Sequence, residues 1–191
     1  MNRLFHKKDI LTIPNCLSLV RLLMIPVILW QYIGENDHYG AIGVIILSGL
    51  TDVADGWIAR KFNMVSDFGK ILDPVADKLT QAALILCLTT KYDWMFGLII
   101  FFAIKECIMA VLGYMTIRSK DQVNSAKWHG KLNTVVLYST MIVLILIPGL
   151  PMELANMLIL LCGAMMFLSL VLYIRFYMDV LGRDPATENA A

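Results

Sequence analysis

The sequence predicts an all-α integral membrane protein of six transmembrane helices, and three observations carry that prediction. Of its 191 residues, 59% are hydrophobic and 16% charged, with a mean hydropathy of +0.70. An average globular domain is about 45–50% apolar and about 25% charged, so this chain holds more apolar surface than one core can bury. Six apolar stretches are long enough to span a bilayer, and the basic residues gather on one side of them. Six spans of ~20 residues use about 120 residues, which leaves room for one domain, residues 1–191, and no separate soluble one.

Taken in order, residues 1–9 carry Arg3, Lys7 and Lys8 beside Leu4 and Phe5, a basic and partly amphipathic piece suited to the membrane interface. The stretch 13–33 follows; it lacks a small-x-small cleavage site and contains Asn15 and Arg21, so it reads as a retained first span. Spans two to six are expected at 39–62, 68–90, 94–118, 128–148 and 152–178. Arg3, Lys7, Lys8, Arg60, Lys61, Arg118, Lys120, Lys127, Arg175 and Arg183 lie in the tails and in the loops after spans two and four, while the opposite loops hold little beyond Lys91. Positive residues stay inside, which puts both termini and the loops 60–67 and 119–127 in the cytoplasm.

Other function classes recede on composition. Sixteen Lys and Arg against fifteen Asp and Glu, a net +1, give no basic excess of the kind a nucleic-acid binder uses. Cys16, Cys87, Cys107 and Cys162 fall singly in apolar runs, as small packing residues do, and the three histidines have no paired spacing.

Spans two and three contain Asp52, Asp55, Asp73 and Asp77, four acids within 26 positions of otherwise apolar sequence. Each costs roughly 2.5–3.5 kcal/mol at membrane depth on the insertion scale, so water, cations or basic partners must compensate them. The i,i+3 and i,i+4 spacings put each pair on one helix face. A short turn between the two spans makes them antiparallel neighbours, and the two pairs then form a four-carboxylate cage near the cytoplasmic ends. Such oxygen-only ligands select hard ions, Mg²⁺ or Mn²⁺, and four carboxylates suffice for two divalent ions. A dinuclear site that meets phosphates suggests phosphoryl transfer, and a proton or ion pathway through a transporter is the alternative.

Nearby residues fit a bulky phosphate substrate. Gly56 and Gly69 leave the backbone approachable beside each pair, Ala59 keeps the same stripe narrow, and Arg60 offers a planar fork to a phosphate or else a snorkelling anchor. Ser66 suits a cap on the third helix, and Pro74 leaves the Lys70 carbonyl without its usual donor, as in a helix bent around a site.

Residues 52–77 read Asp-x-x-Asp-Gly-x-x-Ala-Arg, eight residues, then Gly-x-x-x-Asp-x-x-x-Asp. This pattern resembles the signature of the CDP-alcohol phosphotransferase family. The resemblance implies a six-helix enzyme of the cytoplasmic (inner) membrane, usually a homodimer, that moves a phosphatidyl group from CDP-diacylglycerol to an alcohol and releases CMP. It makes Asp52, Asp55 and Asp73 metal ligands and gives Asp77 the second ion and the acceptor proton. Gly56, Ala59, Arg60, Gly69 and Ser66 then belong to the CDP-lipid site, and Asn15 either joins them near the diphosphate or caps the first helix.

Within the family, Ile13-Pro14-Asn15 and the run Leu72-Asp73-Pro74-Val75-Ala76-Asp77-Lys78 resemble the branch whose acceptor is glycerol 3-phosphate. A phosphate-bearing acceptor needs fixed positive charge, for which Lys105, Arg118 and Lys131 are the candidates, with Lys127 as a further cation. Lys105 beside Glu106 reads equally as a buried pair. Two features depart from that branch: Lys105-Glu106 followed by Gly113, where two arginines are usual, and Gly130-Lys131-Leu132-Asn133-Thr134, where a second lysine is usual. The Lys-x-Asn-Thr run resembles cardiolipin synthases of the CDP-alcohol type, whose acceptor is phosphatidylglycerol. A non-enzymatic transporter or scaffold is the distant third reading.

Overall fold

The computed structural model describes residues 12–62, 68–120 and 128–182, and six helices account for nearly all of them. They fall into two compact units, the first ending at Lys91 and including 145–148, the second made of 92–144 and the chain after 148.

In the first unit, α1 (Ile13–Leu29) starts at Thr12, whose hydroxyl accepts from the Asn15 amide at 3.4 Å. Thr12 is therefore the cap, and Asn15 is released from the capping role open to it in the sequence. Pro26 removes one amide from the helix ladder. Just beyond it the chain widens into a π-helical turn, Trp30–Gly34, closed by the Glu35 amide on the Trp30 carbonyl at 3.1 Å. Asn36 takes a left-handed conformation, φ 54°, which a short polar side chain tolerates. Asp37 then caps α2 (His38–Lys61) by accepting from the Gly40 amide at 2.9 Å. The third helix, α3 (Gly69–Thr89), begins behind Phe68, which provides no side-chain cap. Ser66, expected to provide one, lies outside the described residues.

The main packing of this unit is α1 against α2 and α1 against α3. The sequence made α2 and α3 direct partners across their turn; in the structure α1 is packed on both of them. The reason lies in the faces. On α2, Ile46, Leu50, Val53 and Trp57 are exposed, while Ser48 and Asp55 are buried on the opposite side. On α3, Ile71, Val75, Leu79 and Leu86 are exposed against a face containing Asp73, Ala76, Asp77 and Thr80. Helices with apolar outer faces and polar inner ones need a third polar face between them, and α1 supplies Asn15, Ser18 and Arg21, all buried.

The second unit contains α4 (Trp94–Lys120), α5 (Trp128–Leu146, save its last two residues) and α6 (Met152–Gly182), with α4 packed along α6. Leu154, Met157, Leu161, Phe167 and Leu168 of α6 are exposed, as suits a surface met by lipid rather than water. Of the cysteines, Cys87 and Cys162 are buried as packing residues, whereas Cys16 and Cys107 are exposed.

Six helices thus stand within a few residues of the six expected spans, but four of them are long and apolar enough to cross a membrane: Ile13–Gly34, His38–Ala59, Trp94–Thr116 and Met152–Val180. The other two differ for separate reasons. Lys70, Asp73, Asp77 and Lys78 interrupt α3, and the apolar part of α5, Gly130–Leu146, is shorter.

Gly130 sits against Tyr173 of α6 so closely that a Cβ there would lie 2.9 Å from the ring carbons Cε2 and Cζ. Gly130→Ala should therefore lower the thermal midpoint, by an amount corresponding to about 1–3 kcal/mol of overpacking. Adding Tyr173→Ala should recover part of that loss, which thermal unfolding of the single and double variants in one detergent will measure.

Candidate functional site

Carboxylates from α2 and α3 meet at one point, the Arg21 guanidinium of α1. Its side chain is 2% exposed. Nη2 reaches Asp52 Oδ1 at 2.7 Å and Asp55 Oδ2 at 2.6 Å, and Nη1 reaches Asp77 Oδ1 at 2.8 Å. One cation thus bridges carboxylates from two helices that are 25 residues apart at their extremes (77 minus 52). Asp73 joins through Ser18, whose hydroxyl lies 2.5 Å from Asp73 Oδ1, 3.4 Å from Asp55 Oδ2 and 3.1 Å from the Pro14 carbonyl. A hydroxyl has one proton, so Ser18 donates to one of these acceptors at a time, and the shortest contact is Asp73.

The four acids differ in exposure. Asp55 is 4% exposed, and its burial is supportable because Arg21 and Ser18 both face it. Asp52 and Asp77 remain 47% and 43% exposed, so each has surface open toward a ligand while one oxygen is held by Arg21. Arg21 is itself incompletely satisfied: Nε is buried with no hydrogen-bond partner. An orphaned buried donor costs about 1–3 kcal/mol, and the fork is spread over three carboxylates rather than closed on one.

The four acids expected as metal ligands converge on Arg21 and Ser18 with hard oxygen donors of the kind Mg²⁺ and Mn²⁺ take, but among the described residues no three of them are placed to share one ion. The oxygens of Asp52, Asp55 and Asp77 that point inward are the ones on Arg21, so in this arrangement a guanidinium stands where a cation is expected. Gly56 and Ala59 lie on α2, half-buried, and Gly69 is the buried first residue of α3. Asn15 is 1% exposed on the same face of α1 as Ser18 and Arg21. The Arg60 side chain and Ser66 lie outside the described residues.

The expected acceptor residues belong to the second unit. Lys105 is buried and paired with its neighbour Glu106 on the same helix, Nζ to Oε1 at 2.7 Å. Lys131 is exposed near the start of α5. The Arg118 side chain and residue Lys127 lie outside the described residues. Asn133, at the position that departs from the glycerol 3-phosphate pattern, is buried, and its Oδ1 has no partner.

Ser18 and Arg21 are the functional candidates that the sequence did not single out. A signal existed: Asn15, Ser18 and Arg21 recur at i, i+3 and i+6 in an apolar helix, which sets them on one broad face. A lone intramembrane arginine also requires an acid, and four acids were waiting for a base.

The family model for CDP-alcohol phosphatidyltransferase matches residues 11–175. Relatives of two names are similar to the chain. A Rickettsia felis protein named CDP-diacylglycerol--glycerol-3-phosphate 3-phosphatidyltransferase is 41% identical over 81 residues, covering 41% of this chain and 45% of that one. A protein of the same name from Wigglesworthia glossinidia brevipalpis is 35% identical over 133 residues, 66% of this chain and 72% of that one. A cardiolipin synthase (CMP-forming) from Streptomyces coelicolor is 34% identical over 108 residues, 54% and 50% of the two chains. The chain spans about half the length of the first curated relatives it matches. The match runs from the polar face of α1 through both acid pairs and into α6, and the chain belongs to the CDP-alcohol phosphatidyltransferase family.

Proposed function

We propose that the protein transfers the phosphatidyl group of CDP-diacylglycerol to glycerol 3-phosphate, giving phosphatidylglycerol phosphate and CMP. The observation that carries the chemistry is the convergence of Asp52, Asp55, Asp73 and Asp77 around Arg21 and Ser18. A transporter or scaffold has no need of four acids in this signature, and relatives named for the transfer to glycerol 3-phosphate support the lead acceptor. The chain acts as one domain, residues 1–191, in the inner membrane with the cage facing the cytoplasm, in keeping with the basic loops. A homodimer is the working assembly.

Asp52, Asp55, Asp73 and Asp77 are the residues that hold two divalent ions, Mg²⁺ or Mn²⁺. When bound, the ions supply charge neutralisation for the diphosphate and for the departing CMP. The chain's residues do the rest. Asp77, with its open carboxylate surface, takes the proton from the acceptor hydroxyl. That oxygen forms a bond to the phosphorus bearing diacylglycerol, and the bond from the same phosphorus to the bridging oxygen breaks, releasing CMP. Gly56, Ala59 and Gly69 leave room for the nucleotide, Arg60 and Asn15 contact its phosphates, and Ser66 lies at the same site. Ser18 holds Asp73 in register. The acceptor's phosphate draws on Lys131 and Arg118, with Lys105 contributing as the cationic half of its pair.

Phosphatidylglycerol as acceptor is the second reading, favoured by the neutral, buried Asn133 in the Lys-x-Asn-Thr run and by the cardiolipin synthase relatives. Its phosphodiester carries a single negative charge and needs fewer cations than glycerol 3-phosphate.

Asp73→Asn keeps the shape and removes one charge. It should lower turnover by about 100-fold or more while the helices stay folded, and a chelator should stop the wild-type enzyme in the same assay of CMP release. Near-normal turnover of the folded variant, or indifference to the chelator, would remove the ion-binding role of the cage.

Purified protein given CDP-diacylglycerol should form phosphatidylglycerol phosphate from glycerol 3-phosphate and no cardiolipin from phosphatidylglycerol. Lys131→Ala should raise KM for glycerol 3-phosphate by roughly tenfold, the worth of one charged hydrogen bond, with a smaller change in kcat. Cardiolipin formation from phosphatidylglycerol, with no product from glycerol 3-phosphate, would transfer the assignment to the second reading.

A further inference from the structure

We propose that Arg21 is the built-in counter-ion of the carboxylate cage, and that a divalent ion enters by displacing it. Arg21 then both holds the ion-free protein together and sets how tightly the cage binds ions. The inference rests on the reading above, in which the four acids hold divalent ions, and adds to it a residue of α1 that the family signature on α2 and α3 does not contain.

Three features of the site support an exchange. First, the oxygens are shared. Asp52 Oδ1, Asp55 Oδ2 and Asp77 Oδ1 lie 2.6–2.8 Å from the guanidinium nitrogens. A Mg²⁺ ion needs its oxygen ligands at about 2.0–2.1 Å in a near-octahedral shell. An ion drawn to those oxygens would face the guanidinium across them, charge against charge, so the two cations compete for the same lone pairs. Second, the charge is short. One guanidinium faces three carboxylates directly and a fourth through Ser18, which leaves the cluster anionic when all four are ionised and able to gain from a cation of higher charge. Third, the guanidinium is not fully satisfied. Nε is buried without a partner, and the fork makes single contacts to three carboxylates in place of one parallel pair of bonds. A group held by single contacts to several partners, with one donor unused, can be displaced.

The physical role follows from the position of α1. Without Arg21, the buried Asp55 would lose its two-helix bridge, and α2 and α3 would present like charges to one face of α1. Arg21 therefore lets the helices assemble before any ion arrives, and afterwards lowers ion affinity by the work of its displacement.

The test uses full-length wild type, Arg21→Met and Arg21→Lys, each loaded with Mn²⁺ and titrated with a competing chelator while bound Mn²⁺ is followed by electron paramagnetic resonance. Starting from the loaded protein keeps the measurement possible for a variant that needs the ion to stay folded. Arg21→Met, close in length and uncharged, should hold Mn²⁺ about tenfold or more tightly than wild type. Its thermal midpoint should lie below wild type without Mn²⁺ and rise more on adding it. Arg21→Lys restores a point charge and should lie nearer wild type in both measurements. Mn²⁺ affinity in Arg21→Met equal to or below wild type, while wild type binds Mn²⁺, would overturn the exchange and leave the ion-binding reading intact. Failure of wild type and both variants to bind Mn²⁺ would remove that reading, and the exchange with it.

Discussion

The packing of the first unit depends on one constraint: carboxylates at membrane depth must be given a positive partner, and the partner has to come from a different helix. Asp52 and Asp55 on α2 and Asp77 on α3 all find it in Arg21 of α1. Salt bridges in water contribute little, because exposed ions are already well solvated. In a 2% exposed position among apolar helices the comparison changes, since a carboxylate left without a partner there has no solvent to return to. The ion network therefore selects the arrangement of α1 on α2 and α3 more than it adds stability to it. Any register in which Arg21 misses the acids leaves several charges stranded.

The rest of the unit is arranged around that choice. Large apolar residues on α2 and α3 point outward at helical spacing, Ile46, Leu50, Val53 and Trp57 on one and Ile71, Val75 and Leu79 on the other. In a soluble protein this would be an inverted fold. In lipid it costs nothing to expose them, and the interior is left to groups that need each other. Even the helix ends serve the site: Thr12 caps α1, which frees Asn15 at the third position to turn its side chain inward onto the face shared with Ser18 and Arg21. The π-helical turn after Pro26 and the left-handed Asn36 complete the reversal into α2 without drawing on that face.

Much of this was legible in the sequence, and the limits were physical. Helix positions were readable because long apolar runs, Pro and charged loops mark them directly; Trp94, Trp128 and Met152 begin helices where expected. The acid pairs were readable because helical spacing fixes which side chains share a face, and this needs no knowledge of neighbours. Which helix stands beside which is another matter. The short turn between α2 and α3 suggested that the acid helices pair directly, and the spacing within each could not reveal that α1 would pack on both of them. That required matching charges across separate helices: a base at position 21 with acids at 52, 55 and 77, a long-range pairing that no local periodicity encodes. Cys16 and Cys107 illustrate the same limit, since an apolar helix shows its composition but not which side of it meets the core.

Acceptor choice is harder to read for a further reason: a cation counts toward binding an anion only if its charge is not already spent. Counted from the sequence, Lys105, Arg118 and Lys131 make three positive charges for a phosphate. In the structure Lys105 is buried with its ammonium on Glu106, so the pair as a unit is close to neutral. Asn133 adds a buried amide oxygen without a partner where a second lysine would have added a charge. What discriminates a dianion from a phosphodiester is the net field at the acceptor, and Lys105 adds little to such a field while its charge is shared with Glu106. Asp52, Asp55 and Asp77 are held by Arg21 and Asp73 by Ser18, so the centre proposed for the transfer is tied by several contacts across three helices.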